Sequence, residues 1–269
     1  MVSTPPHAAP HAAPSQEQHA HKLLAIAVGN TRARWAFFTG RELAPGGAVP
    51  HVEALEALRT AVEQAQPEMI ALASVEEERA DTIEKGLAAL GLPAVRVGRD
   101  LQPPLTHSLE DASTLGIDRI LNALAAFSLV ESAVAVVDAG SAITVDFVDG
   151  EGTFHGGAIA PGCTMMLKAM HTQTAALPDL PFDPDAGGPF GSDTPHAMQL
   201  GVAAAARGLV RDMVEQFAVF YEAYPPVLGT GGDAAALFEA DEFVERIIPD
   251  LQLIGIQRTI EAVMQEEKE

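Results

Sequence analysis

Two stretches of the chain carry the residue types of a phosphate cradle. LLAIAVGNTRARW (Leu23 to Trp35) is an apolar run that enters a small polar turn, Gly29-Asn30-Thr31, and leaves it as a second apolar run. AVVDAGSAITVDF repeats the pattern further along. Superposed, Gly29 falls on Gly140, Asn30 on Ser141 and Ala27 on Asp138. Such turns expose backbone N–H groups and short hydroxyls, which suit phosphate oxygens. A carboxylate at the strand end, as at Asp138, can hold a cation that neutralises them. The first copy has a methyl group there, Ala27. Either turn alone also reads as an ordinary hairpin. A third candidate is GIDR, Gly116 to Arg119, at the start of a helical pattern. Asp118 there reads as a helix N-cap or as a proton acceptor, and Arg119 as a fork for an anionic substrate. Asn122 lies one turn further on the same face. His155 reads as an acid or base, or as a half-buried strand histidine. GTGGD (229–233) has the wrong spacing for a dinucleotide fingerprint, but its glycines would let a flat ring lie close on the backbone. No Gly-Lys-Ser/Thr phosphate loop occurs.

The elements around these residues alternate. Strands are expected at 23–29 and 32–38, a helix at 51–65, a strand at 68–74, a helix at 77–90 and a strand in GLPAVRV. A helix from about Asp118 to Val130 follows. The second half restarts with strands in AVAVVDAG, AITVDFVD and TFHGGAIAP, then a helix at 162–177. A long helix, 193–224, opens with Asp193 or Thr194 as cap and Pro195 in its first turn. A strand in PPVLGTGG, a short helix and a C-terminal helix from Leu253 complete the chain. The alternation argues an α/β fold, and the matched hairpins argue an internal duplication. The expected division is a leader at 1–21, a first half at 22–130 and a second at 131–269. The leader is Ala, Pro, His and Gln with almost no large apolar side chains, so it is expected to be disordered. It holds four of the nine histidines, without metal-ligand spacing.

The chain has 269 residues and 48% apolar content, enough for a substantial core. A formal charge of −21 disfavours nucleic acid as a partner, because an acidic surface repels phosphate backbones. The single cysteine, Cys163, fits a reducing compartment. No apolar run reaches the length of a membrane span, and the N-terminus lacks the layout of a signal peptide. A cytoplasmic protein with no membrane partner is the expectation.

VGNT, GIDRILNALAA, VVDAGSAITVDFV, GGAIAPG, LGTGG and PDLQLIGI occur in the order and near the spacing of the type III pantothenate kinases, and the resemblance covers Leu23 to about Ile256. It implies the acetate and sugar kinase/Hsc70/actin fold, two RNase H-like halves with ATP in the cleft between them. It implies a homodimer that phosphorylates pantothenate to 4'-phosphopantothenate, the first step of coenzyme A synthesis. ATP, a divalent metal such as Mg2+ and a monovalent cation, K+ or NH4+, are the implied cofactors. By position, Ala27, Val28, Gly29, Asn30, Thr31, Arg32, Ala33 and Arg34 would hold ATP phosphates, with Ser141 contacting ATP. Gly116, Ile117, Asp118, Arg119 and Thr194 would hold pantothenate, with Asp118 as general base. Asp138 would bind the monovalent cation.

The sequence departs from this pattern at Ala27, where the family has Asp, at Ser141 in place of Thr, and at Leu109, where a Tyr often stands near the substrate. Losing the carboxylate beside Mg-ATP leaves two readings: a weakened or dead kinase, or one in which another acid such as Asp146, or a water shell, serves instead. A non-catalytic homologue with a regulatory or accessory role is the alternative function. A phosphate-cleaving enzyme acting on acyl or polyphosphates is a third.

Overall fold

The computed structural model describes residues 21–266, so all of the expected leader but His21 lies outside the described residues. The first half contains β1 (Lys22–Val28), β2 (Arg32–Thr39), β3 (Glu42–Pro50), α1 (His51–Ala65), β4 (Met69–Ser74), α2 (Glu77–Ala88), β5 (Ala94–Val97), β6 (Thr106–His107) and α3 (Ile117–Val130). The second contains β7 (Val134–Ala139), β8 (Ala142–Val148), β9 (Thr153–Pro161), α4 (Cys163–Gln173), α5 (Thr194–Tyr221), β10 (Val227–Thr230), α6 (Ala234–Phe238), β11 (Arg246–Ile247) and α7 (Leu251–Glu266).

The sheet orders reveal the duplication. One sheet runs β3-β2-β1-β4-β5; the other runs β11-β10-β7-β8-β9-β6. Read from its far end, the second is the first repeated, with β7 in the place of β1 and β6 added at the edge. In both, the three hairpin strands are antiparallel and the remaining two are parallel. α3 and α7 occupy corresponding places in the two repeats. They are exchanged: α3 lies mainly on the second sheet through Ala123, Ala125 and Ala126, and α7 lies on the first through Leu253, Ile256 and Ile260. The two helices form one layer between the sheets. α1 and α2 cover the outer face of the first sheet, and α4, α5 and α6 that of the second.

Three differences from the sequence reading have physical reasons. The sequence does not predict β3, because ELAPGGAVP lacks apolar alternation. It is an exposed edge strand where Pro45 is tolerated, and Gly46 and Gly47 make room for Trp35, since a Cβ on Gly46 would stand 2.1 Å from the Trp35 carbonyl oxygen. α4 stops at Gln173, not Leu177, as Thr174 turns to extended backbone. α3 begins at Ile117 with Gly116 as its N-cap, so Asp118 is a first-turn residue and not the cap.

The α3–α7 contact is backbone-close: a Cβ on Gly255 would stand 2.2 Å from the Leu121 carbonyl oxygen. At an unconstrained helical position, Gly to Ala raises stability by about 1 kcal/mol. Here Gly255→Ala is expected to lower it by about 1–3 kcal/mol through overpacking. Thermal unfolding of the two proteins reads the sign, and a stabilised variant would show that the helices part without cost.

Candidate active site

The two glycine turns have the same construction. The Gly29 N–H donates to the Arg32 carbonyl and the Gly140 N–H to the Ala142 carbonyl, each at 3.0 Å. The first turn is one residue longer, since Val28 pairs with Ala33 whereas Ala139 pairs with Ile143. They meet across the boundary between the halves, with Thr31 Oγ1 2.9 Å from Ser141 Oγ. Asn30, Thr31, Arg32 and Ser141 are exposed there. Val28 and Ala33 are buried in the core beneath α1, so those two could meet a ligand only through their backbone.

Asp138 sits two residues before the second turn, as Ala27 does before the first. Its Oδ2 accepts from Asn122 Nδ2 at 3.0 Å. Its Oδ1 faces glycine backbone: a Cβ would stand 2.5 Å away on Gly231 and 3.3 Å away on Gly140. Gly231 has φ +98°, a conformation that favours glycine. Asn122 Oδ1 is buried and, among the described residues, has no hydrogen-bond partner. Burial, with the Asp118 charge adding to it, pushes the Asp138 carboxyl up to about 6. A carboxylate oxygen facing bare glycines, beside an orphaned amide oxygen, is a donor set that fits a hard cation.

Asp118 lies against Gly116, where a Cβ would stand 2.5 Å from its Oδ1, and that oxygen accepts the Arg119 N–H at 2.9 Å. Burial raises its pKa, against the pull of Arg119. Ile117 is half-buried beside Gly98. The Arg119 guanidinium is held by Asp146, through Nε at 3.1 Å and through Nη2, and lies 5.7 Å from the Phe154 ring centroid. This corrects the reading of Asp146 as a spare metal carboxylate, because both its oxygens are bound in a buried ion pair. Thr194 is exposed at the first residue of α5, capped by Asp193, and among the described residues has no hydrogen bond to either turn or to GIDR. His155 bonds Ser108 at 3.0 Å and Asp149 at 2.7 Å, so it is a tethered strand histidine, and Leu109 packs against Gly156.

Ala27 is 2% exposed and packs with Ala73, Leu253 and Ile256. Its cross-strand partner is Arg34. Arg34 Nη2 reaches the Pro249 carbonyl at 2.6 Å and Asp250 Oδ1 at 2.8 Å, tying the first hairpin to the start of α7. Asp250, inside PDLQLIGI, carries only a faint sequence signal for such a tie, that of an acid just before a helix.

Two duplicated α/β halves meeting at paired glycine turns define an actin-like fold of the kind shared by sugar kinases. Solved structures agree on the fold: a conserved Baf family protein of Campylobacter jejuni (TM-score 0.60, 22% identity, 90% of this chain and 99% of that one) and the activator of 2-hydroxyisocaproyl-CoA dehydratase of Clostridium difficile (TM-score 0.52, 10% identity, 92% and 98%). A family model for type III pantothenate kinase matches residues 23–216, and the chain belongs to that family of kinases. Relatives named type III pantothenate kinase include those of Synechococcus elongatus (32% identity, 90% of this chain and 97% of the relative), Rhodospirillum rubrum (36%, 55% and 57%) and Dechloromonas aromatica (37%, 58% and 66%). The match thus spans less than two thirds of the last two and nearly all of the first.

The folded pKa of Asp138 lies above the roughly 3.9 of an unfolded Asp. The folded state therefore holds that proton more tightly, and this contribution to stability is lost as pH rises from about 4 to about 6. Asp138→Asn removes the effect. The stability of the variant relative to the parent is expected to grow by about 1–3 kcal/mol across that window in metal-free buffer. Thermal melts at stepped pH measure it, and a constant difference would assign Asp138 an ordinary carboxyl.

Proposed function

We propose that this chain transfers the γ-phosphoryl group of ATP to pantothenate, as a cytoplasmic homodimer whose halves, 22–130 and 131–269, close on the nucleotide. The observation that carries the reading is the meeting of the two glycine turns at Thr31 and Ser141, beside the Asp118–Asp138 pair. No helix among the described residues is long and apolar enough to cross a membrane.

In this reading the backbone N–H groups and hydroxyls of the turns from Ala27 to Arg34 and at Ser141 orient the ATP phosphates. Asp138, with Asn122, holds a monovalent cation, K+ or NH4+. When bound, that ion and Mg2+ neutralise phosphate charge. Asp118 takes the proton of the attacking pantothenate hydroxyl, and burial makes it a stronger base than an exposed carboxylate. Arg119, anchored by Asp146 through two nitrogens, keeps Nη1 for the pantothenate carboxylate, with Gly116, Ile117 and Thr194 completing the substrate site. In Asp118→Asn the shape is kept and the basicity lost, so pantothenate-dependent ADP release is expected to fall about a hundredfold or more. Wild-type turnover in the folded variant would remove Asp118 from this role, and release without pantothenate would favour a different phosphate acceptor.

The apolar packing of Ala27 supports a second reading, a homologue that keeps the fold in a regulatory or accessory role with little or no turnover. Ala27→Asp separates the two. The new carboxylate would share a sheet face with Arg34, and bound Mg2+ would favour its ionisation. Calorimetric titration is expected to show tighter Mg-ATP binding, with higher turnover, and a Tm lower without nucleotide because a charge enters an apolar cluster. Unchanged affinity and turnover would mean that Ala27 limits nothing.

A further inference from the structure

Arg34 and Asp250 meet where the first hairpin reaches the helix layer, and Asp250 does not make the bond its position favours. An acid just before a helix ordinarily caps it, as Asp193 does for α5 by accepting the His196 N–H at 2.8 Å. The Asp250 carboxylate, just before α7, accepts no backbone N–H among the described residues. Its Oδ1 accepts from Arg34 Nη2 instead, at 2.8 Å. The same nitrogen donates to the Pro249 carbonyl at 2.6 Å. Two of the five guanidinium N–H groups are thereby used, and those on Nε and Nη1 have no acceptor among the described residues. Arg119 differs, because Asp146 takes it through Nε and Nη2 with both oxygens in a buried pair. The Arg34–Asp250 pair is open to solvent, its side chains 32% and 38% exposed.

The pair belongs to the junction of the two halves. Arg34 is the cross-strand partner of Ala27, just before the first glycine turn. The Pro249 carbonyl also accepts from Thr230 Oγ1 at 3.4 Å, and Thr230 lies in register with Asp138. The Arg34 charge is felt at Asp138, where it opposes the effect of burial. Ala27 offers Arg34 no counter-charge, so α7 supplies one from outside the hairpin. A long side chain otherwise free to change rotamer is thus held in place before any anion arrives, which removes part of the ordering cost of binding. The open N–H groups of a fixed, planar guanidinium suit phosphate oxygens.

We propose that Asp250 is a positioning residue of the phosphate site, fixing Arg34 through Nη2 so that Nε and Nη1 are presented to the nucleotide phosphates. The proposal rests on the ATP reading above and assigns to α7 a carboxylate that acts on the phosphates through Arg34. Calorimetric titration of the full chain with Mg-ATP and, separately, with adenosine tests it. Asp250→Ala is expected to weaken Mg-ATP about five- to tenfold and leave adenosine, which has no phosphate, unchanged. Asp250→Glu keeps a carboxylate for the guanidinium and is expected to stay within about twofold of the parent. In an Arg34→Met background Asp250→Ala is expected to cost nothing further, because its effect passes through Arg34. Asp250→Asn keeps the shape and one acceptor, so it serves with a smaller loss where the alanine variant does not fold. Tighter Mg-ATP binding in Asp250→Ala would make the carboxylate a competitor of phosphate for Arg34 and overturn the proposal. Equal loss of adenosine, the mark of a purely structural tie, would do the same, as would full ATP affinity in Asp250→Ala or losses that multiply in the double variant. Failure of the parent chain to bind Mg-ATP would instead bring down the kinase reading, and this proposal with it.

Discussion

The contact on which the rest depends is the crossing of α3 and α7, where Gly255 lets one helix lie on the backbone of the other at Leu121. Each helix also covers a sheet, α3 mainly the second and α7 the first, so their spacing sets the distance between the sheets. The ends of β1 and β7 are thereby brought face to face, and the hydroxyls of Thr31 and Ser141 come within hydrogen-bond distance. Arg34 reinforces the arrangement by reaching from the first hairpin to the N-terminal end of α7. A wider residue at 255 would push α3 and α7 apart and be felt in the sheets that they cover, since close-packed interiors transmit strain.

Charge is distributed around this junction unequally. Asp118, Asp138 and Asp146 are all partly or wholly withdrawn from water, and burial raises the pKa of each. Asp146 is answered by Arg119. Asp138 has one amide donor and one oxygen turned to glycine backbone, an arrangement that a cation would complete. In the first half the corresponding position holds Ala27, and Arg34 on the same sheet face bonds Asp250 instead. The two copies have thus diverged in opposite electrostatic senses: the second exposes an acid to the junction and the first a base.

The duplication was legible because its signal is local. A run of Ala, Val and Ile entering Gly-Asn-Thr or Gly-Ser fixes a hairpin by turn chemistry and alternation alone. The matched hairpins were enough to suggest two halves, and the shared sheet order extends the match to five strands each. β3 escaped notice because its identity comes from pairing with β2 and from room for Trp35, neither of which leaves a pattern in Glu42–Pro50. The exchange of α3 and α7 was invisible for a related reason. An amphipathic helix shows that it has an apolar face but not which sheet it covers. At the site, residue types pointed to Asp118, Arg119 and Asp138, but the pairing of Arg119 with Asp146 joins positions on a helix and on a strand of different halves, which no spacing encodes.

The exchanged helices also bear on how the chain is made. The five strands of the first sheet are complete once Val97 has been synthesised, and α1 and α2 can seal its outer face at once. Its inner face, with Leu23, Ala25, Ala71 and Ala73, is closed by Leu253, Ile256 and Ile260 of α7. On the ribosome the part of that apolar face not met by Leu121 of α3 stays open while the whole second repeat emerges, and the half that is born first is the last to be finished.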